Sequence, residues 1–113
     1  MMKVAFEEIG RVAATFAADG VKAGTVCKMA GNGMVAPCAD GEEFVGLVEH
    51  VRKGFCGVQL HGFAQVAYTG TAPGLGYVNL AANGGGGVKV SSGGRGHLVV
   101  AVDENAMKAV IEL

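Results

Sequence analysis

From Cys56 to Tyr68 the chain keeps a period of two: Cys56, Val58, Leu60, Gly62, Ala64, Val66 and Tyr68 are apolar or glycine. The intervening Gly57, Gln59, His61, Phe63, Gln65 and Ala67 are mixed. Successive side chains of a strand point to opposite faces, so this pattern predicts one half-buried strand or two joined at a bend. Gly62 stands mid-run, where a missing side chain marks a bulge or a barrel corner. Strands are therefore expected near 56–61 and 63–68.

The C-terminus reads as a second clear element. His97-Leu98-Val99-Val100-Ala101-Val102 is apolar and β-branched, and Asp103-Glu104-Asn105-Ala106 supplies turn residues. Met107, Ala109, Ile111 and Leu113 then alternate, which predicts an antiparallel hairpin whose apolar stripe includes the last residue. Removing even a few terminal residues is expected to harm folding. Upstream, Val21–Met29 reads as a turn feeding a short strand. Gly31-Asn32-Gly33 is a tight turn answered by Met34–Cys38, and Asp40–Glu43 a turn before a strand at Phe44–Val51. Further strands are expected at Tyr77–Ala81 and Val88–Val90. Strands recurring every 8–12 residues between turn signals predict an all-β fold, a small antiparallel barrel or sandwich.

The first twenty residues leave two readings open. Ile9, Val12, Ala13 and Phe16 have helical spacing, whereas Gly10, the β-branched content and Asp19-Gly20 favour a strand at Arg11–Ala17. The organisation expected is an N-terminal arm at 1–10 and a single β domain at 11–113.

Composition supports this and narrows the partners. The 20 glycines among 113 residues show no three-residue period, and only 2 prolines accompany them, so the chain is not collagen-like. Half the residues are hydrophobic, enough for a core. The formal net charge of −1 and nine scattered Lys and Arg argue against nucleic acid as a partner. No run approaches the ~20 apolar residues of a membrane-spanning helix. Glu7 and Glu8 stand where a signal peptide needs an apolar segment, so secretion by that route is not expected.

Four places in the sequence could carry chemistry. Cys27, Cys38, His50, Cys56 and His61 are possible zinc ligands, but no pair has structural-zinc spacing and no metal is expected. The odd cysteine count without CxxC predicts reduced, half-buried thiols. Gly-x-Ser-x-Gly is absent, the only serines are Ser91 and Ser92, and a Cys56–His61 or Cys56–His50 dyad lacks an orienting third group. Asn83–Gly87 is followed by Val88-Lys89-Val90 and not by Gly-Lys-Ser/Thr, and Gly74-Leu75-Gly76 lacks a third glycine, so both read as turns and flexible loops. The adjacent acids Glu7-Glu8 and Glu42-Glu43 read as solvated ends. No enzymatic activity and no cofactor are expected. Phe55, Phe63 and Tyr77 are the residues of interest: grouped on a polar face, they predict a subunit contact. The competing reading is a small-molecule or carbohydrate-binding barrel of bacterial origin, its pocket lined by Tyr68, Tyr77, His61 and Gln65.

Taken in order, Val21–Val26, Gly46–Val48, Val58–Val66 and Pro73–Val78 form a pattern that resembles the small glycine-rich β proteins of tailed phages and prophages akin to capsid decoration proteins. Gly62 and Val66 match the central element of that pattern, and Gly74 to Val78 the later one. The resemblance spans most of residues 11–113. It implies a structural role, with self-association (a trimer favoured) and a major capsid protein as partner. It also implies a location in the bacterial cytoplasm or the assembled virion, and an N-terminal segment that grips the shell. It carries over no catalytic residue.

Overall fold

Alternating apolar residues and frequent turns leave this chain one way to bury its surface, by stacking strands. A computed structural model describes residues 10–113. It contains ten strands, β1 (Val12–Ala18), β2 (Val26–Gly31), β3 (Met34–Pro37), β4 (Gly46–Arg52), β5 (Phe55–His61), β6 (Phe63–Ala67), β7 (Gly76–Ala82), β8 (Val88–Val90), β9 (Arg95–Asp103) and β10 (Lys108–Glu112). The described residues form no helix. The fold is all-β, as expected, and Arg11–Ala17 resolves in favour of a strand. β1 is required on both sides, pairing with β5 and β3, which local helical spacing does not supply. The expected arm, apart from Gly10, lies outside the described residues.

The first five strands close into a barrel in the order β1-β3-β2-β4-β5. The other five form a sheet ordered β6-β10-β9-β7-β8. One pairing departs from the antiparallel expectation, since β1 and β3 run parallel through Ala17–Met34 and Ala18–Val35. The edges of the second sheet meet at a single parallel bridge, Tyr68 to Val88, where the Thr69 N–H donates to the Val88 carbonyl over 3.1 Å. Curling of this kind hides edge groups that otherwise invite pairing with other chains.

Written as circles, the two strand orders are one order repeated. Setting β6–β10 on β1–β5 places Ala17 opposite Phe55 on Ala67 opposite Lys108, and Ala18 beside Val35 on Tyr68 beside Val88. Both long hairpins carry a bulge at the same point. Glu49 is skipped between Val48 and His50, and Val100 between Val99 and Ala101. The hairpins differ in their turns, which join Arg52 to Phe55 in one unit and Asp103 to Lys108 in the other. Gly54 (φ 78°) and Met107 (φ 53°) take left-handed backbone at the same place before the returning strand. Met107 thus belongs to the turn and is exposed, whereas Ala109 and Ile111 of its expected stripe are buried.

Gly62 is the bend expected in the long alternating run. Its φ of 96° turns the chain out of the barrel and into the second sheet. The amide of Gln59 clamps this corner, its Nε2 donating to the carbonyls of His61 (3.1 Å) and Phe63 (2.9 Å). The Leu113 N–H returns to the Gly62 carbonyl over 3.0 Å, so the chain end is tied to the corner.

Two apolar clusters fill the interior. Val21, Cys27, Val35, Val48, Cys56 and Val58 fill the barrel. Val66, Tyr68, Leu80, Ala82, Val88, Val99, Ala109 and Ile111 fill the second unit, joined there by Val26, Cys38 and Phe44 of the first. The Asn83–Gly87 loop seals the junction and is held in place, contrary to the flexibility expected of it. Asn83 Oδ1 accepts from the Gly85 (2.8 Å) and Gly87 (3.1 Å) N–H groups, and the Gly86 carbonyl accepts from Val26 N–H over 2.9 Å. Glycine is needed because a Cβ on Gly86 would stand 2.7 Å from Thr25 Cγ2, and one on Gly87 2.6 Å from the Ala67 carbonyl oxygen.

Candidate functional site

Strand order decides which of the expected contact residues become neighbours. Val99 and Ile111 are paired and buried, so Leu98 and Glu112, one step along each strand, lie on the outer face. Phe63 pairs with Glu112 and Tyr77 with Leu98. One transverse row therefore runs Phe63–Glu112–Leu98–Tyr77 across the outside of β6, β10, β9 and β7. Tyr77 is 78% exposed and the adjoining Leu75 72%, while Phe63 and Leu98 are half-buried. Phe63 and Tyr77 are thus brought onto one face.

Phe55 is on the other unit. Cys56 and Val58 point into the barrel, so Phe55 and Gly57 point outward. Two rows cross β1, β5 and β4 there, Ala17–Phe55–Arg52 and Thr15–Gly57–His50. The His50 imidazole lies directly over Gly57, where a Cβ would push the exposed ring aside. Thr15, His50, Arg52, Phe55 and Cys56 enclose a shallow depression of about 130 Å³. Phe55 itself is 56% exposed.

The residues of the ligand-pocket reading do not converge on either concavity described here. Tyr68 is in the core, and Tyr77, His61 and Gln65 are exposed on the surface. The larger cleft, about 280 Å³, lies at the junction between Lys22, Thr25, Pro37 and Cys38 on one side and Gly84–Gly86 on the other. Of the glycine amides that line it, that of Gly85 is already taken by Asn83 Oδ1.

Among the described residues, no three His, Cys, Asp or Glu side chains gather to hold a metal. The three cysteines are free thiols and are buried, more deeply than the half-burial expected. Burial, with smaller contributions from Cys56 and Cys38, pushes the Cys27 thiol up to about 12, so it stays protonated and a poor nucleophile. Burial raises Cys38 and Cys56 as well.

His97 was visible in the sequence only as the first residue of a strand, yet it is the one histidine in the core. Its ring stacks on Phe44 with centroids 4.8 Å apart. Its Nδ1 lies 2.9 Å from the Glu112 carbonyl, to which the neutral ring donates. Nε2 is buried without a partner. Burial holds the pKa below the usual imidazole range. Arg95 acts in the same direction, whereas the Glu112 carbonyl and the charges of Glu112 and Glu43 oppose it. The unfolded chain therefore binds the proton at a higher pH than the folded one, and stability falls as pH drops below about 6.5. Urea midpoints should decrease from pH 7.5 to pH 5, and His97→Gln should flatten that slope. An unchanged slope in the variant would refute the assignment to His97.

No protein-family model matches the chain, and comparison with curated proteins finds no match.

Proposed function

We propose that this is a non-enzymatic structural protein that binds copies of itself and a larger protein shell, in the manner of a phage capsid decoration protein. The observation that carries the reading is the row Phe63–Glu112–Leu98–Tyr77, with Leu75 beside it. Three of these four residues and Leu75 are large apolar or aromatic groups on the outer face of a sheet. Single exposed apolar residues are ordinary, but an aligned group of them is the usual composition of a subunit contact. The sheet behind the row is a packed support, and a small all-β unit of this length gains buried surface by assembling. The resemblance described above adds the shell as partner and the trimer as the favoured state.

Sedimentation velocity at high micromolar concentration is expected to give a trimer. A monomer under those conditions would remove the basis of the reading. The shell is tested separately, by electron microscopy of the protein mixed with expanded empty phage capsids. Ordered added density is expected, and bare capsids would exclude this role.

A further inference from the structure

The two exposed faces are opposite in charge, and that difference determines how copies meet. The hairpin face of the first unit carries the cation Arg52 beside Phe55, with His50 over Gly57 and the depression between them. The row on the second unit carries the anion Glu112 between Phe63 and Leu98, with Tyr77 at its end. Arg52 and Glu112 are both exposed, and neither has an ion-pair partner among the described residues. Arg11 is engaged with Glu49, Lys28 with Glu42 and Lys89 with Asp40, while Lys53 adjoins Arg52 and Lys108 stands at the other end of β10 from Glu112.

In a two-fold contact of the second-unit row with its own copy, Phe63, Leu98 and Tyr77 offer Glu112 no cation. In the same contact of the hairpin face, Ala17, Phe55, Thr15 and Gly57 offer Arg52 no anion. Either arrangement desolvates a charge without pairing it, which is costly. Only the contact of one face with the other covers both aromatic groups and pairs both charges. From this we infer that the partner of the Phe63–Tyr77 row is the Arg52–Phe55 face of a second copy of this chain, in a head-to-tail contact. Glu112 then meets Arg52, and Tyr77 and Leu98 pack against Phe55. A head-to-tail contact closes into a ring when its rotation permits and otherwise runs into an open filament. The ring is the form that agrees with a trimer.

This inference rests on the proposed self-association, and the test separates the two. Sedimentation velocity is run on the parent chain, Arg52→Glu, Glu112→Lys and the double variant, with thermal melts to establish that each is folded. Each single variant is expected to weaken association at least tenfold, and the double variant to recover it. A monomeric parent overturns the self-association reading itself. An associating parent with a silent Arg52→Glu overturns only the head-to-tail contact. So does a double variant that fails to recover.

Discussion

Gly46→Ala is expected to lower the free energy of unfolding by about 3 kcal/mol, at the upper end of what overpacking a closed core costs. Gly46 opens β4 opposite Cys27 of β2. A Cβ there would overlap the Gln59 carbonyl oxygen and stand 2.6 Å from Val58 Cγ1. The oxygen is backbone of β5, a strand held by β1 on one side and β4 on the other, so it has no room to retreat. The equivalent place in the second unit is occupied by His97, which donates to the carbonyl of Glu112, the counterpart of Gln59. One unit closes over this carbonyl with a glycine and the other reaches it with an imidazole, so the glycine is a packing requirement of its own unit. Gly74→Ala is the control, because a Cβ at Gly74 meets nothing within 4 Å and its backbone is not left-handed. Denaturant midpoints should separate the two variants clearly. A Gly46→Ala midpoint as close to the parent as that of Gly74→Ala would contradict the argument.

Much of the strand pattern was legible, because it depends on short-range rules. The Cys56–Tyr68 alternation is two strands bent at Gly62, and the closing hairpin runs through Ala109 and Ile111 as its stripe requires. Phe44 reads as the first residue of a strand, but it precedes β4 and turns inward to meet His97, a contact made across units. The repeat was not legible from apolar identity, since some equivalent core positions keep valine, as Val35 and Val88 or Val48 and Val99 do, while others hold different residues, Cys56 and Ala109 or Val58 and Ile111. Packing fixes burial and volume at such positions and leaves identity free. The signal was in the turns. Gly20-Val21-Lys22-Ala23-Gly24 and Gly70-Thr71-Ala72-Pro73-Gly74 place two glycines at the same spacing after the first strand of each unit, and Gly20 and Gly70 share a left-handed backbone. The Phe63–Tyr77 row stayed hidden for a different reason. Neighbours across a sheet depend on strand order, and no local pattern states that β10 and β9 lie between β6 and β7.

Ile111→Ala is expected to cost about 2–5 kcal/mol and to do so in one cooperative transition. Ile111 has no solvent exposure and lies in the cluster that also takes Val26, Cys38 and Phe44 from the first unit. The units are stitched further by main chain, with Gly41 N–H donating to the Ala82 carbonyl (2.8 Å) and Ala82 N–H to the Glu42 carbonyl (2.9 Å). Unfolding the second unit alone would expose Val26 and Phe44 and break these bonds, leaving the barrel with an open flank. Loss of packing at Ile111 is therefore felt by both units, although its counterpart Val58 belongs to the barrel cluster. Val58→Ala should likewise lower a single midpoint. Following urea unfolding by tyrosine fluorescence, which reports on Tyr68 and Tyr77 in the second unit, and by far-ultraviolet circular dichroism, which reports on all ten strands, provides the measurement. Coincident curves in both variants are the expected result. A fluorescence transition that precedes the loss of ellipticity in Ile111→Ala would mean that the repeated units unfold independently, and the shared core would then be no more than contact between two separate folds.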